Sequence, residues 1–217
     1  MEGLILMNTT IAFLSGGKSH RLKSVISDKG LLLLNNKPMI LWMIDAIQEL
    51  SNNIIVIVST ESQKEKYLEV VENRAEIVID KRESIRSPLL GAHAAFMHAS
   101  GKYTILLPND TPLLNQDALL LLIELSEDYD VVLPRWSNGF IEPLHAIYRT
   151  EIARKRSKEL IQKNQYKLDG LLQKVKVLYI NAEIFKQFDP QLNMFFNVNT
   201  PGDLKKLKGL LKKIQRR

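Results

Sequence analysis

The sequence predicts an α/β protein built on a doubly wound, mostly parallel sheet. Three observations lead to this class. Apolar, strand-like runs alternate along the chain with longer segments of helical periodicity. Several of these runs are apolar at nearly every position, which is typical of strands covered on both faces. With 217 residues and 45% hydrophobic content, the chain is long enough to bury a sizeable core. We therefore expect a single domain over residues 1–217.

The predicted strands are the short apolar runs, several of them rich in β-branched residues. The first is Ile11-Ala12-Phe13-Leu14, which stops abruptly before a pair of glycines. The remaining strands are expected over residues 53–59, 76–80, 103–107, 131–134, 141–148 and 176–180. Open α/β sheets bind ligands at the carboxyl ends of their strands, so the loops that follow these runs are the places to look for a site.

Helical periodicity fills the intervals between these strands. In residues 39–50 the apolar side chains fall on one helical face, namely Ile40, Met43, Ile44, Ile47 and Leu50. Pro38 suits the first turn of that helix, and Thr200 with Pro201 suits the start of the last one. Residues 61–72 are expected to form a surface helix. Further helices are predicted for residues 87–99, 116–126, 150–162, 168–173 and from Pro201 onward.

The composition argues against several classes of protein. The chain has no cysteine, which excludes disulfides and thiolate metal sites and makes a cytoplasmic location the default expectation. No apolar run approaches the ~20 residues of a membrane span. The N-terminus also lacks the basic region that opens a signal peptide. We therefore expect no membrane partner.

The formal net charge of +6 raises the question of nucleic-acid binding. Much of the positive charge lies near the C-terminus, where leucines recur at helical spacing among Lys205, Lys206, Lys208, Lys212, Lys213, Arg216 and Arg217. This is the pattern of an amphipathic helix with a solvated basic face. No aromatic residue is interleaved for base stacking, which argues against nucleic acid as a partner.

The first predicted strand leads into Ser15-Gly16-Gly17, with Arg21, Asp28 and Lys29 following. Glycines allow phosphate groups to approach backbone N–H groups, and Arg21 and Lys29 supply positive charge for an anionic ligand. The pattern is not a P-loop, because Gly17-Lys18-Ser19 lacks the earlier glycine, and it is not the dinucleotide fingerprint. The residues alone therefore indicate either a phosphate-binding loop or an ordinary turn after a strand.

Two carboxylates stand at the ends of predicted strands. Asp110 lies between Pro108 and Pro112, so its backbone is held in a fixed conformation. A hard cation such as Mg²⁺ needs a carboxylate placed in this way and takes its other ligands from phosphate oxygens and water. Asp80 ends another strand and could accept hydrogen bonds from a base or a ribose, or help to place the metal. The alternative for both is a structural aspartate that caps a turn or a helix.

The glycine loop and four further stretches resemble a known family. Leu14-Ser15-Gly16-Gly17-Lys18-Ser19-His20-Arg21-Leu22, with the later Asp28-Lys29, resembles the signature Leu-Ala-Gly-Gly-x-Ser-x-Arg-Met and Asp-Lys of a group of nucleotidyltransferases. The other stretches fit one branch, the molybdenum cofactor guanylyltransferases, and follow in the expected order along nearly the whole chain. They are Asn36-Lys37-Pro38-Met39-Ile40, Ser87-Pro88-Leu89-Leu90-Gly91, Pro108-Asn109-Asp110-Thr111-Pro112 and Phe196-Asn197-Val198-Asn199-Thr200-Pro201.

This resemblance implies a Rossmann-like nucleotidyltransferase domain, similar to the GT-A fold. The implied enzyme is a Mg²⁺-dependent guanylyltransferase that moves GMP from GTP to the phosphate of molybdopterin and releases pyrophosphate. Residues 1–110 would form the nucleotide-binding half, and residues 111–217 the acceptor-binding half with the basic helix.

Site residues carry over from the family by matching position. Asp110 would hold the metal and act in catalysis with Lys29 and Arg21, and Asn197 and Asn199 would lie on the acceptor side. The implied nucleotide contacts are Leu14, Ser15, Gly16, Gly17, Lys29, Ser59, Asp80 and Asp110.

Three positions depart from the family pattern, and two alternative functions stay open. Ser15 stands where the family usually has alanine, Lys23 where it often has glycine, and Ser59 where it often has asparagine. The nearest alternative function is the same chemistry on another phosphorylated acceptor, such as adenosylcobinamide phosphate, phospholactate or a sugar phosphate. The alternative from a different class is a non-catalytic binding module of the same fold.

Overall fold

The computed structural model of the protein describes residues 8–15, 28–80, 85 and 87–214. The strands, in chain order, are β1 (Thr9–Leu14), β2 (Leu33–Leu34), β3 (Lys37–Pro38), β4 (Ile54–Val58), β5 (Glu76–Ile79), β6 (Tyr103–Pro108), β7 (Val131–Arg135), β8 (Ala146–Arg149) and β9 (Val177–Asn181). The α-helices are α1 (Met39–Ile47), α2 (Glu61–Val71), α3 (Pro88–His98), α4 (Gln116–Glu124), α5 (Thr150–Gln162) and α6 (Pro201–Ile214). Short 3₁₀ helices cover Lys29–Leu31, Leu168–Leu172, Ala182–Gln187 and Asn193–Phe195.

Seven of these strands form one twisted layer in the order β5-β4-β1-β6-β8-β7-β9, while β2 and β3 form a separate small hairpin. The strands from β5 to β6 are all parallel, as are β7 and β9. Only β8 runs against its two neighbours in this sheet. The predicted doubly wound, mostly parallel α/β sheet is therefore confirmed, with one reversed strand in its second half.

Helices cover both faces of the sheet because alternate strand residues point to opposite sides. In β1, Ile11 and Phe13 contribute to one core and Ala12 and Leu14 to the other. The first core takes its helical side chains from α1, α2, α4 and α6, and the second takes them from α3 and α5. This arrangement explains why the central strands are apolar at nearly every position.

The helix starts follow local side-chain chemistry. Thr60, Ser87, Asn115 and Thr200 each accept a hydrogen bond from the backbone N–H three residues later. The Thr200 bond is the one expected from the sequence. Pro38, which was expected in the first turn of α1, instead ends β3 and immediately precedes that helix.

The strand predicted over residues 141–148 is wrong in its first half. Only Ala146–Arg149 forms β8, and Ile141 makes just an isolated bridge to Arg135. The physical reason is a turn in which the His145 N–H donates to the Glu142 carbonyl at 3.0 Å. Pro143 lies inside this turn and has no N–H to offer a neighbouring strand.

None of the helices in the described part of the chain is both long and apolar enough to span a bilayer. The longest of them, α6, covers Pro201–Ile214 and presents exposed lysines along one side. Its buried residues Leu207 and Leu211 pack into the first core, so the amphipathic helix predicted from the sequence is confirmed.

Candidate active site

The chain reverses its winding direction between β1 and β6, and a crevice is expected at such a point. From β1 the chain adds β4 and β5 on one side, and β6 then pairs with the other side of β1. Leu14 lies opposite Pro108 at the carboxyl ends of these two strands. The loops that begin at Ser15 and Asn109 therefore leave the sheet side by side, at the topological switch point where open α/β sheets bind ligands.

Lys29, Asp110 and Asn199 meet at this edge, although they lie far apart in the sequence. The Lys29 Nζ is 2.8 Å from Asp110 Oδ2, and it also donates a hydrogen bond to Asn199 Oδ1. Both members of the ion pair are largely shielded, with side chains 15% and 16% exposed. The Val198 N–H donates to the Asp110 carbonyl at 2.8 Å, which fixes the Asn199 segment beside the strand end.

A buried cluster of polar side chains lies next to this ion pair. We call it the Asp28 cluster, and it comprises Ser15, Asp28, Gln63, Tyr67 and Asn109. The Asp28 carboxylate, which is 6% exposed, accepts hydrogen bonds from the Tyr67 hydroxyl and the Gln63 amide, each at 2.8 Å. It also accepts from the Gly30 N–H at 3.2 Å. These donors come from the 3₁₀ helix that follows Asp28 and from α2, so the carboxylate joins two separate parts of the chain.

Ser15 links the Asp28 cluster to the end of β6. Its hydroxyl lies 3.2 Å from Asp28 Oδ1 and 2.8 Å from the Tyr67 hydroxyl, and it accepts from the Asn109 amide at 2.8 Å. The residue is 3% exposed, and its N–H donates to the Ile57 carbonyl. The Ser15 side chain therefore makes its hydrogen bonds inside the protein. The predicted nucleotide contact of Ser15 stays a prediction, and its hydroxyl is already engaged.

Tyr67 and Gly30 fit together closely. Tyr67 is fully buried, and this burial, with a smaller effect of the Asp28 carboxylate, raises the pKa of its phenol. The hydroxyl consequently keeps its proton and can donate it to Asp28. A Cβ at position 30 would lie 2.2 Å from the Tyr67 hydroxyl oxygen, so this position has space only for glycine while the phenol is present.

The other residues predicted for the nucleotide side lie along the same edge. Leu14 is the last residue of β1 and is 9% exposed. Ser59 follows β4, and its N–H donates to the Gln63 side chain at 2.9 Å. Asp80 follows β5, and its N–H donates to the Val58 carbonyl at 2.8 Å. Gly16, Gly17 and Arg21 lie outside the described residues.

The two asparagines predicted for the acceptor side differ in their surroundings. Asn199 reaches Lys29 with its side chain, while its N–H donates to the Asp203 carboxylate at the start of α6. Asn197 is exposed, and its amide donates to the Phe195 carbonyl at 3.1 Å. Asn199 therefore takes part both in capping the helix and in the Lys29 contact.

Within the described ranges, no group of three or more acidic, histidine or cysteine side chains could hold a metal. The chemistry at Asp110 nevertheless suits a hard cation. A carboxylate oxygen of Asp110 and an amide oxygen of Asn199 converge on one cationic group, the Lys29 ammonium. Oxygen donors of this type are those that Mg²⁺ accepts, and it completes its shell with phosphate oxygens and water.

A second cluster precedes the Asn199 segment in the chain. We call it the Phe195 cluster, and it comprises Trp136, Glu142, His145, Phe185 and Phe195. The Phe195 ring meets the rings of His145, Trp136 and Phe185 edge to face, with centroids 5.0, 5.4 and 5.9 Å away. The Trp136 indole donates to Glu142 at 2.8 Å, and burial raises the pKa of this carboxyl group.

His145 is the polar exception in the Phe195 cluster. It is 2% exposed, and neither ring nitrogen has a hydrogen-bond partner in the part of the chain that the structure describes. Burial lowers its pKa to about 4, and the nearby backbone of Met194 opposes this only in part. The imidazole is therefore neutral near pH 7, and protonating it inside the fold is costly.

Sequence reasoning assigned no role to Gln63, Tyr67 or Asn109, and it used Asp28 only as part of a signature. Asp28 and Asn109 could have been found as the neighbours of Lys29 and Asp110. No sequence signal identifies Tyr67 or Gln63, because they lie on a helix whose composition indicates a surface element.

Comparisons with known proteins identify the family to which this chain belongs. Residues 11–176 match the family described as MobA-like NTP transferase domain. The chain is 31% identical over 211 residues to a protein described as a probable molybdenum cofactor guanylyltransferase from Natranaerobius thermophilus, covering 96% of this chain and 98% of that one. A protein of the same description from Pyrococcus horikoshii is 33% identical over 201 residues, covering 91% and 98%.

A solved structure resembles the whole fold. The molybdopterin-guanine dinucleotide biosynthesis protein A from Archaeoglobus fulgidus superposes with a TM-score of 0.78 at 26% identity. The match covers 94% of this chain and 99% of that chain. The family match spans well over half of the chain, and the relatives are covered over nearly their full lengths. The protein therefore belongs to the family of MobA-like NTP transferases.

Proposed function

We propose that this protein is a guanylyltransferase that transfers GMP from GTP to the terminal phosphate of molybdopterin. A phosphate oxygen of the acceptor attacks the α-phosphorus of GTP, and the bond from that phosphorus to the bridging oxygen of pyrophosphate breaks. The products are a guanine dinucleotide form of the cofactor and pyrophosphate. The observation that supports this proposal best is the convergence of Lys29, Asp110 and Asn199 at the switch point of the sheet.

The chemistry needs alignment and neutralisation of charge more than a covalent intermediate. Lys29 is tied to Asp110 and Asn199 in this structure, and we expect it to exchange them for phosphate oxygens when a nucleotide binds. Arg21 and the N–H groups of Gly16 and Gly17 would hold the same phosphates. Asp80, at the end of β5, would contact the nucleoside.

The metal is proposed to be Mg²⁺, with Asp110 as its protein carboxylate and Asn199 as a second oxygen donor. When bound, it would neutralise the charge on the phosphates. A reaction that uses GTP also fits the cytoplasmic location predicted from the sequence, and that location stays a prediction.

Binding of nucleotides tests the first half of the proposal. Calorimetric and thermal-shift titrations would compare GTP, ATP and CTP, each with and without Mg²⁺. We expect Mg-GTP to raise the melting temperature most. No response to any nucleotide would contradict the proposal and favour a non-catalytic binding module.

Acceptor choice tests the second half. Labelled GTP would be offered with molybdopterin, adenosylcobinamide phosphate, phospholactate or a sugar phosphate, and both label transfer and pyrophosphate release would be measured. We expect transfer to molybdopterin. Transfer to one of the other compounds would support guanylyl transfer but show that the acceptor is not molybdopterin.

A further inference from the structure

The Asp28 cluster and the Lys29–Asp110 pair are linked through neighbouring residues. Asp28 precedes Lys29 in the chain, and Asn109 precedes Asp110. Asp28 has extended backbone angles of −138° and 121°, and in extended backbone successive side chains point to opposite sides. Asp28 accordingly points into the buried cluster while Lys29 points to the crevice. Asn109 likewise bonds to Ser15 while Asp110 bonds to Lys29.

The cluster also connects the Asp28–Lys29 segment directly to the Asn109–Asp110 segment. The Ser15 hydroxyl contacts Asp28 on one side and accepts from Asn109 on the other. The distance between the backbone of Lys29 and that of Asp110 is therefore set by a short chain of hydrogen bonds. Ser15, Asp28 and Tyr67 are buried and Asn109 is half-buried, so these bonds are directional constraints and not exchangeable surface contacts.

Tyr67 lies outside the crevice and hydrogen-bonds to two members of this series of hydrogen bonds. Its hydroxyl donates to Asp28 at 2.8 Å and lies 2.8 Å from Ser15. The absence of a side chain at Gly30 lets the phenol reach them. Of the cluster's members, Tyr67 therefore contacts both the residue beside Lys29 and the residue at the end of β1, and it does so from helix α2.

We propose that Tyr67 is a positioning residue for nucleotidyl transfer, which acts through Asp28 and Ser15 to hold Lys29 and Asp110 at their working separation. This inference rests on the proposed function, since it takes Lys29 and Asp110 as the groups that handle the phosphates and the metal. Tyr67 itself touches no substrate. The Ser15 hydroxyl ties the ends of β1 and β6 together through its contacts with Asp28 and Asn109.

The main test is Tyr67→Phe, with Tyr148→Phe as its matched control. Tyr148 is also fully buried, and its hydroxyl donates to a single backbone carbonyl, that of Pro143, at 2.7 Å. Both variants remove the hydroxyl of a fully buried ring, which makes two hydrogen-bonding contacts in Tyr67 and one in Tyr148, so both should lower the melting temperature by a few degrees. Only Tyr67→Phe should lower kcat, by about 10-fold, because small displacements of reacting groups are costly. Its KM for Mg-GTP should change less than about 3-fold.

A second test uses the close fit of Gly30. Gly30→Ala places a methyl group on the Tyr67 hydroxyl and should lower kcat further than Tyr67→Phe does. The double variant Gly30→Ala/Tyr67→Phe removes the atom 2.2 Å away and leaves the next contact, Tyr67 Cζ, at 3.2 Å. We expect the double variant to recover to the level of Tyr67→Phe alone. Additive losses in the double variant would contradict the proposal.

A third measurement does not depend on activity. In the wild-type protein, Lys29 is held by Asp110 and Asn199 and is little exposed, so it should react slowly with acetic anhydride. Mass spectrometry should detect labelling of Lys29 that is at least about 3-fold faster in Tyr67→Phe. Labelling of Lys29 in Tyr148→Phe should stay at the wild-type rate.

The outcomes separate the two proposals. If the wild-type protein transfers GMP but Tyr67→Phe matches Tyr148→Phe in kcat and in Lys29 labelling, the positioning role is overturned and the function stands. If the wild-type protein transfers nothing to any acceptor, the proposed function fails. In that case the labelling result alone decides whether Tyr67 holds Lys29 in place.

Discussion

Two clusters near the site are held together by different forces. The Asp28 cluster consists of directional hydrogen bonds among buried polar side chains that include a carboxylate. The Phe195 cluster consists mainly of rings in edge-to-face contact, with one hydrogen bond from Trp136 to Glu142, and its His145 imidazole lacks a hydrogen-bond partner within the described residues. Position is therefore set bond by bond in the first cluster and by shape in the second. Removing single polar atoms should harm the first, whereas introducing charge should harm the second.

The largest expected effect concerns the residue next to the Asp28 cluster. Asp110→Ala should lower kcat by about 100-fold or more, the scale typical of losing a key electrostatic group. Its free energy of unfolding should fall by about 1–3 kcal/mol, because the lost pair with Lys29 is largely shielded from water, although Lys29 keeps its hydrogen bond to Asn199. Steady-state pyrophosphate release and urea unfolding would measure the two quantities.

Asp117→Ala is a suitable control for this prediction, because Asp117 is an exposed carboxylate on α4. It should leave turnover unchanged. Full activity of Asp110→Ala would show that Asp110 has no catalytic role. The Asp28 cluster would then have no special connection to catalysis compared with the Phe195 cluster.

The second prediction concerns charge in the Phe195 cluster. His145 has a pKa of about 4 in the folded protein, below the ordinary value of 6.5 expected when the chain is unfolded. Between these values the unfolded chain binds more protons, so the free energy of unfolding should fall as the pH falls. From pH 7 to pH 5 the expected loss that His145 contributes is about 2 kcal/mol. Urea unfolding at both pH values would measure it.

The variant His145→Phe isolates this contribution, since its ring keeps the contact with Phe195 but has no proton to gain. It should lose about 2 kcal/mol less than the wild-type protein over the same pH interval. The Glu142 carboxyl, whose raised pKa acts in the opposite direction, is present in both proteins and cancels in the difference. Equal pH dependence in the two proteins would mean that His145 is not the group responsible.

A third, smaller effect tests whether shape alone holds the Phe195 cluster. Phe195→Leu removes three edge-to-face contacts and should lower the free energy of unfolding by roughly 1 to 2 kcal/mol. The affinity for Mg-GTP, measured by calorimetry, should stay within about 2-fold because the Asp28 cluster is untouched. A large loss of GTP affinity would show that the two clusters are coupled.

The smallest effect is expected on the basic face of α6. The Lys206 ammonium lies 4.7 Å from the centre of the Phe196 ring, and the residue is exposed. Lys206→Ala should therefore cost less than about 1 kcal/mol of stability and leave turnover unchanged. Nucleic-acid binding that is steeply salt-dependent and weakened in this variant would instead favour the binding-module alternative.

Local patterns predicted most of the fold. The alternation of strands and helices, the apolar central strands and the basic terminal helix each depend on periodicity within a short segment. The reversed strand β8 was harder to predict, because residues 141–148 resemble one strand while Pro143 and the turn before His145 shorten it. Strand direction depends on how a connection returns to the sheet, which no single segment encodes.

The candidate site divides in the same way. Lys29, Asp110 and Asn199 were predicted because each belongs to a recognisable stretch, and the structure brings their side chains together. The Asp28 cluster joins side chains whose partners lie far along the chain, for example Ser15 with Asn109. Tyr67 in particular lies on a helix rich in charged residues and is nevertheless fully buried. Such pairs are fixed by the tertiary fold, so a sequence read segment by segment does not reveal them.

The place of β1 in the sheet matters while the protein is being synthesised. Thr9 pairs with Tyr103 in β6. The ribosome therefore adds roughly 90 residues after β1 before β6 is made, which takes about 5–20 s, and until then one side of β1 has no partner strand. During that interval the nascent chain carries an apolar strand with an open edge, a structure that readily pairs with other chains. Slow translation before residue 103 would lengthen this exposure, and a chaperone that covers the edge would shorten it.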